Sequence, residues 1–143
     1  MKKELDEKLC REFPDIFRDR YGKISETCMC WGIECGEGWY DIIHQACSEM
    51  KRVKQKSGIN FYAEQIKEKY GTLRFYYTYD RRLLRISKKR FKRYVDYIDA
   101  VVSNAEKKSE TICEHCGKKG KRRDDGWIRT LCNKCNKNRY NNK

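Results

Sequence analysis

The chain has one proline, Pro14, and two histidines, His44 and His115, in 143 residues. It has no apolar run close to the ~20 residues of a membrane helix, which excludes a span of that kind. The opening residues MKKELDEKLC lack the apolar segment of a secretory signal, so a cytoplasmic protein is expected. There is no Pro-rich or Ser-rich linker and no internal repeat. With two histidines and no Asp-His pair, the chain is poorly equipped for a nuclease centre of the His-Asn-His type. Such a centre needs histidines for the catalytic metal and the general base.

Aromatics make up 13% of the chain, including ten tyrosines, which is not the composition of a disordered segment. The hydrophobic fraction is only 38%, so the core must be compact. Nine cysteines without a signal segment point to a reducing compartment and metal-bound thiolates rather than a disulfide framework. The net charge is +13, unevenly placed. Residues 1–57 hold 11 basic and 11 acidic side chains, so the whole excess lies in residues 58–143. Such an excess attracts nucleic acid, a nucleoprotein or a phosphorylated small ligand. The alternative is a solvated, lysine-rich surface.

Along the chain, KKELDEKLCREF reads as an amphipathic helix with Leu5, Leu9 and Phe13 on one face. Pro14 suits the first turn of a second short helix, PDIFRD. YGKISETCMCWGIECGEGW has no period and reads as a loop. Residues 39–56 carry Trp39, Ile42, Ile43, Ala46, Met50 and Val53 at helical spacing, with Gly58 as the stop. The next stretch, INFYAEQIKEKYGTLRFYYTYD, alternates as a β-hairpin turning at Gly71. In its first strand Tyr62, Glu64, Ile66, Glu68 and Tyr70 are expected on one face, and Phe61, Ala63 and Gln65 on the other. Residues 81–109 read as a helix with a stripe of Phe91, Tyr94, Val95, Ile98, Val101, Val102 and Ala105. Its first part, 81–93, holds eight basic residues and no acid. Positive charge there opposes the helix dipole slightly.

The sharpest motif is Cys113-x2-Cys116-x15-Cys132-x2-Cys135, the spacing of a four-thiolate zinc site. Two intervening residues let one knuckle present both sulfurs to a tetrahedral ion at about 2.3 Å. Gly117 permits the turn, and His115 is expected to be exposed rather than a ligand. The intervening residues suit a hairpin turning at Asp125-Gly126, with Trp127, Ile128 and Leu131 covering the zinc. Lys121, Arg122, Arg123 and Arg129 crowd this segment, and with Trp127 and Tyr140 they suit phosphate contact and base stacking. A second cluster, Cys28, Cys30, Cys35, His44 and Cys47, reads either as core thiols or as a second metal site built from Cys28, Cys35, His44 and Cys47. On the hairpin, Lys67, Lys69, Arg74 and Tyr76, with Arg81 and Arg82 nearby, could share a basic aromatic face. The alternative is core aromatics beside solvated charges. Lys88, Lys89 and Lys92 extend the basic set.

ETCMCWGIECGEGWYDII, QIKEKYGTLRFYY and CEHCGKKG…GWIRTLCNKC together resemble a family of small proteins found in phages and prophages, over roughly residues 5–140. The resemblance implies a phage setting and no particular catalysis. It implies an accessory role against host machinery, for which defence nucleases such as CRISPR effectors are targets. The expectation is therefore an α+β protein, with a helical and β-hairpin domain over 1–108 and a four-cysteine zinc ribbon over 109–143. It would be a non-enzymatic binder of nucleic acid or of a host nucleoprotein, with Zn2+ as its cofactor, working in the cytoplasm of the bacterial host. The rival expectations are a DNA- or RNA-binding regulatory factor and a sponge for signalling nucleotides.

Overall fold

The computed structural model describes residues 1–80 and 85–141, with the backbone alone for residues 140 and 141. The predicted contact residues Arg81 and Arg82 lie outside the described residues.

Helix α1 (Lys3–Glu12) buries Leu9 and leads into buried Phe13. Its Asp6, also buried, is held by the guanidinium of Arg20 at 2.6 Å. The helix expected over PDIFRD is instead a run of turns that buries Ile16 and Phe17. The reason is a long-range bond. A helix would use the Ile16 carbonyl for the amide of Arg20, but that carbonyl accepts from the Ala63 amide at 2.8 Å. Arg18 is also drawn away, pairing with Asp80 at 2.9 Å and lying 3.3 Å from the Tyr62 ring centroid.

The aperiodic loop contains ordered structure. A 3-10 turn over Cys28–Trp31 is capped by Thr27, whose hydroxyl accepts from the Met29 amide at 3.0 Å. Strand β1 (Ile33–Glu34) follows, then a second 3-10 turn, Glu37–Trp39, that enters helix α2 (Tyr40–Ser57). Helix α2 buries Ile42, Ile43, Ala46, Cys47, Met50 and Val53, the expected stripe with Cys47 added. Gly58 ends it with φ 75°, its amide bonded to the Lys54 carbonyl at 2.7 Å.

Strands β2 (Phe61–Lys69) and β3 (Thr72–Tyr79) form the expected hairpin. Tyr70 and Gly71 both take positive φ, 54° and 81°, as a two-residue hairpin turn requires. The register shifts between Ala63 and Gln65. That bulge corrects the expected faces: it returns Ile66 to the buried side with Phe61 and Ala63, and turns Gln65 outward. Strand β1 adds parallel to β2, giving a sheet of order β1-β2-β3.

Helix α3 (Lys88–Ser109) starts later than the pattern suggests. Ser87 caps it, its hydroxyl accepting from the Arg90 amide at 3.3 Å. Ile98, Val102 and Ala105 are buried, and Phe91, Tyr94, Val95 and Val101 pack partly against the same core. Helix α3 packs on α2 and β3, so the two helices cover one face of the sheet. The C-terminal part is a two-stranded hairpin, β4 (Lys121–Arg123) and β5 (Arg129–Leu131), followed by a short helix, α4 (Asn133–Asn141). The fold is a small α+β domain carrying a C-terminal cysteine cluster. No helix among the described residues is long and apolar enough to cross a membrane.

Candidate metal centre

Cys113, Cys116, Cys132 and Cys135 bring their sulfurs within 4.8 Å of one another. Among the described residues this is the one group of three or more His, Cys, Asp or Glu side chains placed to hold a metal ion. The Cys116 and Cys132 sulfurs are 3.7 Å apart. A tetrahedral ion with bonds of about 2.3 Å would separate its sulfurs by about 3.8 Å, whereas a disulfide needs about 2.0 Å. The spacing therefore fits one ion shared by four thiolates.

Each knuckle is built locally. In the first, Gly117 takes φ 73° and donates to the Cys113 carbonyl at 2.9 Å. An isolated bridge between Ile112 and Lys119 closes that turn. The second knuckle starts α4, so Cys132 and Cys135 lie at a helix N-terminus, where thiolate charge is favoured. The Cys135 amide points at the Cys132 sulfur, 3.4 Å away, and pushes that thiol down to about 7. Burial pushes the Cys113 thiol up. His115 is exposed and outside the group, as expected.

The knuckle is clamped to the α+β core by contacts that the cysteine spacing does not reveal. The Gly38 amide donates to the Glu114 carbonyl at 2.7 Å, and the Gly36 amide to Glu114 Oε1 at 3.0 Å. Trp39, fully buried, donates its indole N–H to the Ile112 carbonyl at 2.8 Å. Thr130 Oγ1 donates to the Gly71 carbonyl at 2.6 Å. Cys113 and Glu114 are thus buried between the 3-10 turn and β5, and burial raises the Glu114 carboxyl above its usual range. The signal available in the sequence was GEGW, two glycines at the point of close approach.

The second cysteine cluster does not assemble: Cys28, Cys35, His44 and Cys47 form no converging group. Cys35 and Cys47 are core thiols, and burial pushes Cys35 up to about 12. Cys28 is exposed and Cys30 half-buried. His44 is engaged otherwise, with Nε2 2.8 Å from Glu12 Oε1 and its ring edge-on to Phe13.

The hairpin residues do share a face. Lys67 pairs with Arg74, Gln65 with Tyr76 and Lys69 with Thr72 across the ladder, so all six side chains leave the sheet on the side away from the helices. Lys67 Nζ lies 5.8 Å from the Tyr76 ring centroid, and Tyr76 is 43% exposed. Glu34, opposite Lys67 and bonded to Gln65, brings an acidic group to this face. Lys88 and Lys89 are exposed, while Lys92 is paired with Asp96 at 2.6 Å.

On the β4–β5 hairpin, alternation separates the expected strip. Lys121, Arg123 and Arg129 take one side and Arg122 the other. Arg123 is structural: it donates to the Leu131 carbonyl at 3.3 Å and to Asn133 Oδ1 at 2.6 Å, on both sides of Cys132. Trp127 does not cover the cluster as expected. It is 68% exposed, with its indole N–H turned toward Glu68 Oε2 at 3.5 Å rather than toward the cysteines. Ile128 is half-buried and lies beside Gly71. No protein-family model, curated protein or solved structure matches this chain.

Proposed function

We propose that the chain is a non-enzymatic, zinc-binding phage accessory protein that binds nucleic acid or a host nucleoprotein. Zinc is the metal that suits four thiolates in a closed tetrahedral set. Cys113, Cys116, Cys132 and Cys135 would hold it as a structural ion. The observation that carries the binding reading is the outer face of the sheet. It sets Lys67, Lys69, Arg74 and Tyr76 on one surface, cations for phosphates beside a ring for a base. The Thr130–Gly71 bond seats β5 against the turn of that hairpin, so exposed Arg129 and Trp127 lie beside its end. The phage setting, and a defence nucleoprotein such as a CRISPR effector as the partner, rest on the sequence resemblance. Inhibition would follow from occupying a guide- or DNA-binding surface.

The test is binding to single-stranded DNA and RNA across a salt series. Lys67→Glu with Arg74→Glu should weaken binding and reduce the log–log salt slope by about 1.4, from about 0.7 per phosphate contact on a single strand. Tyr76→Ala should weaken it by about 5- to 100-fold, from ~1–3 kcal/mol of stacking per base. A salt-independent affinity, or one unchanged by both variants, refutes the reading. A purified effector, assayed for target cleavage with the chain added, tests the inhibitory part.

A further inference from the structure

Between the second half of α2 and the first half of α3 lies a cavity of about 390 Å³, lined by Arg52, Lys56, Arg90, Arg93, Tyr94 and Tyr97 over Val53. No carboxylate lines it. Among the described residues, Lys56, Arg90 and Arg93 have no ion-pair partner. This differs from other cations of the same surface: Lys54 is paired with Asp15 at 2.5 Å and Lys92 with Asp96 at 2.6 Å. Glu49, the carboxylate beside the site, is engaged by Arg52 and Tyr97 behind the wall, which leaves an excess of positive charge. Gathering cations in a concave site is unfavourable unless an anion enters, and concavity raises the local field for that anion.

The wall is also pre-set. Glu49 pairs with Arg52 and accepts from the Tyr97 hydroxyl at 2.5 Å, while Arg52 donates to that hydroxyl at 2.8 Å. Tyr97 is thereby held as a plate, 40% exposed. The volume falls in the range of small-ligand pockets, ~300–1,000 Å³. Helices α2 and α3 lie on the inner side of the sheet, so this cavity is separate from the outer face that carries the proposed nucleic-acid contacts.

We propose that the α2–α3 cavity binds a nucleoside polyphosphate, its phosphates on Lys56, Arg90 and Arg93 and its base against Tyr94 and Tyr97. Three unpaired cations match the three to four negative charges of such a ligand, and the two rings match its planar part. The site goes beyond the nucleic-acid reading and stands or falls separately from it.

The experiment is titration calorimetry at moderate salt with ATP, ADP, AMP, adenosine and inorganic triphosphate, beside a single-stranded oligonucleotide. ATP should bind best, ADP and AMP progressively less, and adenosine not measurably. Arg90→Glu with Arg93→Glu should weaken ATP at least tenfold while leaving the thermal melt and oligonucleotide affinity unchanged. Both side chains are exposed, so the fold should survive. Tyr97→Ala should weaken ATP more than inorganic triphosphate. The proposal is overturned by ATP binding weaker than millimolar, by ATP affinity indifferent to the charge reversals, or by triphosphate binding as tightly as ATP. It is equally overturned if the reversals abolish oligonucleotide binding alone, which would make the cavity part of a strand-binding track.

Discussion

Gly38→Ala tests how the cysteine knuckle is attached to the rest of the molecule. A Cβ on Gly38 would stand 2.1 Å from the Cys113 carbonyl oxygen, 2.4 Å from the Gly117 amide nitrogen and 2.7 Å from the Glu114 carbonyl oxygen. All three are backbone atoms of the knuckle, so no side chain can rotate to relieve the overlap. The knuckle must move by about 1 Å to reach ordinary van der Waals separation. That movement strains or breaks the Gly38–Glu114, Gly36–Glu114 and Trp39–Ile112 hydrogen bonds, at 2.7, 3.0 and 2.8 Å. At about 1 kcal/mol each, the loss is about 3 kcal/mol, more if the acceptors stay buried and unpaired. For a chain of this size that lowers Tm by roughly 10 °C. The assay is a far-UV melt read together with tryptophan emission. Trp39 is fully buried whereas Trp31 and Trp127 are exposed, so undocking should red-shift the buried component. A Tm within about 2 °C of the parent, with unchanged emission, would refute the clamp.

Three further outcomes follow from the same geometry. Chelation should release about one zinc per chain and loosen residues 113–135, because such a ribbon has no core of its own; hydrogen exchange there should rise, and Cys113→Ser should bind less metal than the parent in an elemental assay. Thr130→Val removes the donor to the Gly71 carbonyl at a fully buried site and should cost about 1–3 kcal/mol in a denaturant melt. Arg123→Gln should lower stability measurably by freeing the Leu131 carbonyl and Asn133, whereas Lys121→Gln and Arg122→Gln, both exposed, should leave the melt within about 0.5 kcal/mol of the parent.

What was readable from the sequence was what local chemistry fixes. The α2 stripe, its Gly58 stop, the turn at Gly71 and each Cys-x-x-Cys pair depend on residues within a few positions of one another, and each appears in the structure. Tyr70, expected on the strand, instead shares the turn with positive φ. The departures came from distant partners. PDIFRD has helical composition, but the Ile16 carbonyl is taken by Ala63, 47 residues on. Strand β1 is two residues long and so has no period to read. A bulge of one residue reversed the expected faces of β2, since strand alternation transmits a single insertion to every later side chain. Of the two readings open for Cys28, Cys35, His44 and Cys47, the structure bears out core thiols for Cys35 and Cys47, and the four form no converging group.

The clamp also constrains what the metal can do. Cys113 is fully buried, and its neighbours Ile112 and Glu114 carry the bonds to Trp39, Gly36 and Gly38. An ion on Cys113 is therefore tied through one peptide unit to the entry of α2, whose apolar stripe lies in the core. On the other side, Leu131 and Thr130 immediately precede Cys132, and Thr130 holds the β2–β3 turn. The four thiolates thus join two separate attachments to the domain, at residues 36–39 and at residue 71. Removing the ion should do more than free a tail: it should uncouple Arg129 and Trp127 from the end of the Lys69-bearing hairpin. If those residues bind one polyanion together, the metal-free protein should keep the affinity of the sheet face alone and show a shallower salt dependence. If the salt slope is the same with and without metal, the two surfaces act independently and the ion serves only to hold the fold.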